Sequence, residues 1–230
     1  MNLVLLPGLD GTGVLMRPLL AALPPTIAPV VVTYPGDEVL GYDALLARVL
    51  SDLLRDGPFV LVGESYGGPL ALRAAATRPD GLAGLVLCAT FVRNPHPWLP
   101  PVARHAVTPG LLRLFPKLSQ AKMLLGGYST PELRALSVEA LAQVRPEVLA
   151  ARVRDVLAVD VAAELASCPV PVLYLRGTRD GVVPGWNARG IRRIRPSVDV
   201  VDLPAPHWVL QTQAEAAAAA IARFAAECGK

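Results

Sequence analysis

The sequence predicts an α/β protein, with helices on both faces of a doubly wound, mostly parallel sheet of about six strands. Three observations carry that prediction. Short Val- and Leu-rich runs alternate with longer segments of helical period. The runs lack the polar alternation of half-solvated strands, as expected of strands buried on both faces. The strongest chemical motif also falls at a strand-to-helix junction, where such folds carry their sites.

In chain order, Leu3–Leu6 reads as the first strand and Pro29–Tyr34 as the second. Tyr42–Arg55 puts Leu45, Leu46, Val49, Leu50, Leu53 and Leu54 on one face of a helix. Phe59–Gly63 and Leu82–Ala89 read as the third and fourth strands, with an Ala-rich helix at Pro69–Arg78 between them. From Asn94 to about Val161 no strand is legible. A Pro-rich entry there leads to helical patterns at Pro131–Gln143 and Pro146–Leu157. This stretch reads as an insertion over the carboxyl ends of the strands, dividing the chain into a core (1–92 and 162–230) and a helical insertion (93–161). Val170–Arg176 and Val198–Leu203 supply the last strands, and Thr212–Cys228 the last helix.

Composition narrows the classes. The chain has 230 residues, of which 53 % are hydrophobic and 18 % charged, enough to bury a sizeable core and unlike a disordered chain. Its 19 glycines and 23 prolines follow no fixed period, which excludes collagen-like and low-complexity arrays. No apolar stretch is long enough to predict a membrane span. The first residues lack a basic n-region and read as a strand rather than a signal peptide. Three widely spaced cysteines predict neither disulfides nor a zinc site, and point to a reducing cytoplasm. A net charge of +3 is too small to predict nucleic-acid binding. Between Arg93 and Asp160, however, nine basic residues face five acidic ones. These are either ordinary solvated helix faces or a docking surface for an anionic partner or substrate.

The motif is Gly63-Glu64-Ser65-Tyr66-Gly67. A serine on a sharp strand-to-helix turn is exposed and strained, and glycines two residues to either side remove side chains that would collide with neighbouring backbone. A serine hydroxyl needs a base, and the base needs an orienting acid. His96 and His105 lie in the Pro-rich insertion; His207 follows the last strand at the same sheet edge as Ser65 and is the predicted base. Asp180, just beyond the fifth strand in a turn closed by Gly181 and Pro184, is the predicted acid. Asp160 reads as a helix cap, and Asp199 and Asp202 as solvent-facing strand residues. The loop Leu6-Pro7-Gly8-Leu9-Asp10-Gly11-Thr12-Gly13 suits an oxyanion hole, with the backbone N–H groups of Leu9 and Tyr66 as donors. Asp10 there either positions an incoming group or ties down the loop. Gly8, Asp10, Trp98, Phe115, Met123, Leu124 and Trp208 are candidate pocket residues. No metal or organic cofactor is called for.

Taken together, the loop at Pro7–Gly13, Gly-Glu-Ser-Tyr-Gly at 63–67, Gly-Thr-Arg-Asp-Gly-Val-Val-Pro at 177–184 and Pro-His-Trp at 206–208 resemble the α/β-hydrolase superfamily, from Leu3 to about Phe224. The resemblance implies a serine hydrolase working through an acyl-enzyme, with the insertion as a lid. It also implies strands in the order 4-3-5-6-7-8 of the family's eight, with the N-terminal hairpin absent and an exposed edge that leaves monomer and dimer both open. Pro7 departs from the family, many members of which have His before the oxyanion glycine. The compact lid and C-terminal motifs resemble the pimeloyl-acyl-carrier-protein methyl ester carboxylesterases, which implies an acidic acyl carrier protein docking on the basic lid. The Gly-rich loop is also similar to that of acyltransferase-like members. Ester hydrolysis of short or medium acyl chains, acyl transfer to an alcohol, and non-catalytic ligand binding are therefore the three readings, with hydrolysis first.

Overall fold

A computed structural model describes residues 1–53, 57–114 and 124–229. Six parallel strands form one sheet in the order β2-β1-β3-β4-β5-β6: β1 (Asn2–Leu6), β2 (Ala28–Val31), β3 (Phe59–Glu64), β4 (Leu82–Cys88), β5 (Val172–Gly177) and β6 (Asp199–Leu203). That is the strand order 4-3-5-6-7-8 that the resemblance implied. The chain starts in the middle of the sheet, places β2 to one side, then returns across β1 and builds outward. The reversal of direction lies between β1 and β3, where open α/β sheets hold their ligands.

The interior strands show why strict alternation was absent. Val4, Leu6, Leu61, Leu85, Leu87 and Tyr174 face one layer, where they pack with α2 (Tyr42–Asp52), α3 (Gly67–Ala76), α7 (Ala162–Ala166) and α8 (Trp186–Ile194). Leu3, Leu5, Val60, Val62, Val86 and Leu175 face the other, against α1 (Arg17–Ala22), α9 (Val209–Thr212) and α10 (Ala214–Cys228). Both faces are apolar because both are covered.

The two edge strands correct the expectation of burial on both faces. Ala28, Pro29 and Val30 of β2 are exposed, as are Asp199 and Asp202 of β6. The run read as Pro29–Tyr34 pairs only through Val31. Beyond it Tyr34 N–H donates to Gly11 O, drawing the chain into the loop after β1. Pro29 has no N–H and suits only an edge.

The segment after β4 carries α4 (Pro109–Leu114), α5 (Pro131–Ala142) and α6 (Pro146–Ala158). Thr130 caps α5 by accepting from Leu133 N–H. The chain leaves and re-enters at one antiparallel bridge, Arg93 with Asp160, joined by an ion pair of 2.9 Å. Asp160 also accepts from Ala162 N–H at the start of α7, whose N-cap position is Val161. No described helix is long and apolar enough to cross a membrane.

Candidate active site

β3 runs buried to Glu64 and turns sharply into α3. At the turn Ser65 takes φ 49°, the left-handed region a serine rarely adopts. Strain of this kind persists only where the surroundings over-determine it. Here a Cβ on Gly67 would lie 2.5 Å from Leu6 O, and one on Gly63 would lie 2.6 Å from Gly67 O. Ser65 N–H donates to Cys88 O at 2.9 Å, and the Thr90 hydroxyl donates to Ser65 O at 2.6 Å. Tyr174 holds Thr90 in turn, its hydroxyl donating to Thr90 O at 2.7 Å. Ser65 itself remains half-buried between the buried Glu64 and Tyr66.

Two loops bring the other groups to it. Thr178 N–H donates to Leu203 O and Arg179 N–H to Ala205 O, so the loops after β5 and β6 run together. This zipper explains how Asp180 and His207 meet. His207 Nε2 is 3.0 Å from Ser65 Oγ, and His207 Nδ1 is 2.8 Å from Asp180 Oδ2. Asp180 Oδ1 accepts from Val182 N–H and Val183 N–H, both at 2.8 Å. With every carboxylate bond an accepted one, Nδ1 carries the imidazole proton and Nε2 is left to accept from the serine. The Asp180 side chain is 1 % exposed and that of His207 6 %. The arrangement can take a proton from Ser65 and hold the resulting imidazolium.

The loop after β1 faces the elbow. Gly8 is buried, and a Cβ there would lie 3.8 Å from Ser65 Cβ. Gly11 N–H donates to Gly8 O in a turn, and Asp10 Oδ2 accepts from Thr12 N–H and the Thr12 hydroxyl at 2.9 and 2.6 Å. Asp10 therefore ties down the loop. Among the described residues, the N–H groups of Leu9 and Tyr66 donate to no protein acceptor. They border the elbow from β1 and from the start of α3.

The remaining candidates separate. Trp208, next to His207, is buried with Val14, Leu15, Leu125 and Ala140, and Leu124 packs against that cluster. Trp98 is 62 % exposed and meets Trp186 edge-on; no described contact ties it to Ser65. Phe115 and Met123 lie outside the described residues. His96 is half-buried, and His105 is exposed. Among the described residues no group of three His, Cys, Asp or Glu side chains converges as a metal site.

The basic residues between Arg93 and Asp160 do not all lie on a solvated face. Arg104, Arg145 and Arg154 are exposed, and Arg93 is paired with Asp160. Arg152, which the sequence reading counted with them, is 1 % exposed. Its Nη1 donates to Leu9 O at 2.9 Å and to Asp10 O at 2.8 Å; its Nη2 donates to Pro35 O at 2.8 Å. Burial lowers its pKa. One turn on, Asp155 Oδ2 accepts from the Tyr66 hydroxyl at 3.0 Å. Burial raises both the Asp155 and the Tyr66 pKa. Sequence reasoning missed this pair, although Val148, Arg152 and Asp155 fall at i, i+4 and i+7, the spacing of one helix face.

It also missed Glu64, which is 4 % exposed beside the serine. Gln211 Nε2 donates to Glu64 Oε1 at 2.9 Å and to Leu15 O at 3.0 Å. Burial pushes the Glu64 carboxyl up to about 7, and the Asp10 charge pushes the same way.

Fold and site together define an ester hydrolase. The chain belongs to the alpha/beta hydrolase family, whose model matches residues 3–220. It is 28 % identical to the pimeloyl-acyl-carrier-protein methyl ester esterase of Vibrio campbellii, over 98 % of this chain and 94 % of that one. It is 31 % identical to the polyketide synthase ThaQ of Burkholderia thailandensis over 97 % of this chain, which spans only 12 % of that protein. The bromoperoxidase of Bacillus anthracis superimposes with a TM-score of 0.84 at 20 % identity, covering 97 % of this chain and 91 % of that one, a likeness of fold.

Proposed function

We propose that the protein is a serine carboxylesterase acting on short or medium acyl esters, with a methyl ester borne by an acyl carrier protein as its preferred substrate. The observation that carries the reading is the unbroken line Ser65–His207–Asp180, at 3.0 and 2.8 Å, beside two N–H groups that donate to no acceptor among the described residues. Ser65 Oγ attacks the acyl carbon while His207 Nε2 takes its proton. The carbonyl oxygen, now an anion, is held by the N–H groups of Leu9 and Tyr66. As the tetrahedral adduct collapses, the bond to the alkoxy oxygen breaks and His207 returns the proton to it, releasing the alcohol. Water, deprotonated by His207, then attacks the acyl-enzyme, and the acid leaves as Ser65 recovers its proton.

The carrier-borne substrate rests on the likeness to the Vibrio campbellii esterase and on charge. Exposed Arg104, Arg145 and Arg154 in the insertion suit an acidic carrier, as do Arg189, Arg192 and Arg193 on α8, the helix just after the Asp180 loop. Buried thiols at Cys88 and Cys168, both unpaired, fit a cytoplasmic setting.

The test is steady-state hydrolysis of p-nitrophenyl esters from acetate to laurate, followed by a methyl dicarboxylate on acyl carrier protein. The expected result is turnover on both, with kcat/KM higher for the carrier-bound ester and falling as salt rises. No preference for the carrier-bound ester over the free one would overturn the carrier assignment. Ester product in place of acid when an alcohol is added would favour acyl transfer.

A further inference from the structure

We propose that helix α6 of the insertion positions both halves of the oxyanion hole, Arg152 acting on Leu9 and Asp155 on Tyr66. The inference rests on the esterase reading and extends it to two residues with no described hydrogen bond to the reacting serine.

The geometry is a two-point brace. Leu9 is fixed from both sides: the Gly8 carbonyl that precedes its N–H accepts from Gly11 N–H, and its own carbonyl accepts from Arg152. With Gly8 O turned into the loop, the trans peptide sends Leu9 N–H the opposite way. Tyr66 is held at both ends as well. Its hydroxyl donates to Asp155, its ring stacks on Tyr42 at 4.6 Å, and its carbonyl accepts from the Tyr42 hydroxyl at 3.1 Å. The Arg152 guanidinium also lies 6.0 Å from the Tyr66 ring centre, so one group touches both halves.

Stability alone does not account for such a residue. Arg152 is a buried cation held by three backbone carbonyls and no carboxylate, with its Nε unpartnered among the described residues. Well-packed apolar side chains often replace buried charges at no cost or with gain. A planar guanidinium does what they do not: it gathers the carbonyls of Leu9, Asp10 and Pro35 on one rigid fork. Through these contacts α6 is tied to the loop after β1 and to the start of α3.

The experiment compares Arg152→Met, Arg152→Lys and Asp155→Asn with the parent enzyme, each checked for its melting temperature. The readouts are kcat and KM on p-nitrophenyl butyrate and the Ki of an alkyl trifluoromethyl ketone, which forms a tetrahedral adduct on the serine. Removing a whole oxyanion donor costs roughly 100- to 1,000-fold in kcat. A displaced donor is therefore expected to cost about 10- to 100-fold in Arg152→Met, with KM within about twofold and Ki weakened in proportion to kcat. Arg152→Lys is expected to recover part of the loss. Asp155 borders an open surface cleft with Tyr42, Asp43 and Arg73, so its isosteric change leaves no sealed cavity and serves if Arg152→Met does not fold. Folded variants whose kcat and Ki match the parent would overturn the proposal. A parent enzyme that never acylates Ser65 would instead defeat the esterase reading.

Discussion

Glu64 gives the pH dependence of stability a predictable sign. Its carboxyl is fully buried next to Ser65 and sits at about 7 in the folded chain, against an ordinary value of 4.5. That difference corresponds to about 3 kcal/mol between its charged and neutral forms. Between pH 4.5 and 7 the unfolded chain has released this proton while the folded chain retains it. The folded state then binds more protons, so stability falls as pH rises through this window. Glu64→Gln keeps the shape and the acceptor for Gln211 Nε2 but removes the ionisation. The variant is expected to match the parent near pH 4 and to exceed it by up to about 3 kcal/mol at pH 8, or about 6–12 °C in melting temperature for a chain of this size. The assay is urea or thermal unfolding of both proteins from pH 4 to 8.5. Only the difference between them is read, since it cancels groups they share. A difference that does not vary with pH would refute the reasoning, and a parent gaining on the variant as pH rises would reverse its sign.

Two further predictions concern the elbow and the acid. Gly67→Ala brings a Cβ within 2.5 Å of Leu6 O and 2.6 Å of Pro7 O, both backbone, and is expected to cost about 1–3 kcal/mol, read by denaturant unfolding, together with most of the activity. Asp180→Asn preserves the outline of the side chain but favours the wrong imidazole tautomer. Its kcat is expected to fall by roughly 10,000-fold with little change in KM, checked by steady-state kinetics on a p-nitrophenyl ester.

The sheet was legible because burial on both faces leaves short apolar runs, Val-rich and bounded by Gly and Pro, between longer segments of helical period. Where that condition fails, legibility fails with it. The edge strand β2 ended at Val31 because its partner β1 gives way to a loop, a fact of pairing that the run itself does not contain. That Ser65, Asp180 and His207 converge was legible from their positions after strand ends, as parallel strands put all such loops at one edge. Arg152 and Asp155 were not, since a charged residue on an amphipathic helix reads as solvated until its partners are known. Those partners are mainly backbone carbonyls and a tyrosine hydroxyl, which leave no complementary charge to find. The burial and pairing of Glu64 were not legible either, because they depend on Gln211, 147 positions away.

In the proposed reaction Ser65 carries the acyl group. Parent and Ser65→Ala proteins, mixed with p-nitrophenyl butyrate and quenched in acid, are weighed intact and then mapped by peptide mass spectrometry. One butyryl group is expected on Ser65 in the parent and none in the variant, with turnover lower in the variant by roughly three orders of magnitude or more. An acyl group on another residue, or a variant that turns over like the parent, would contradict it.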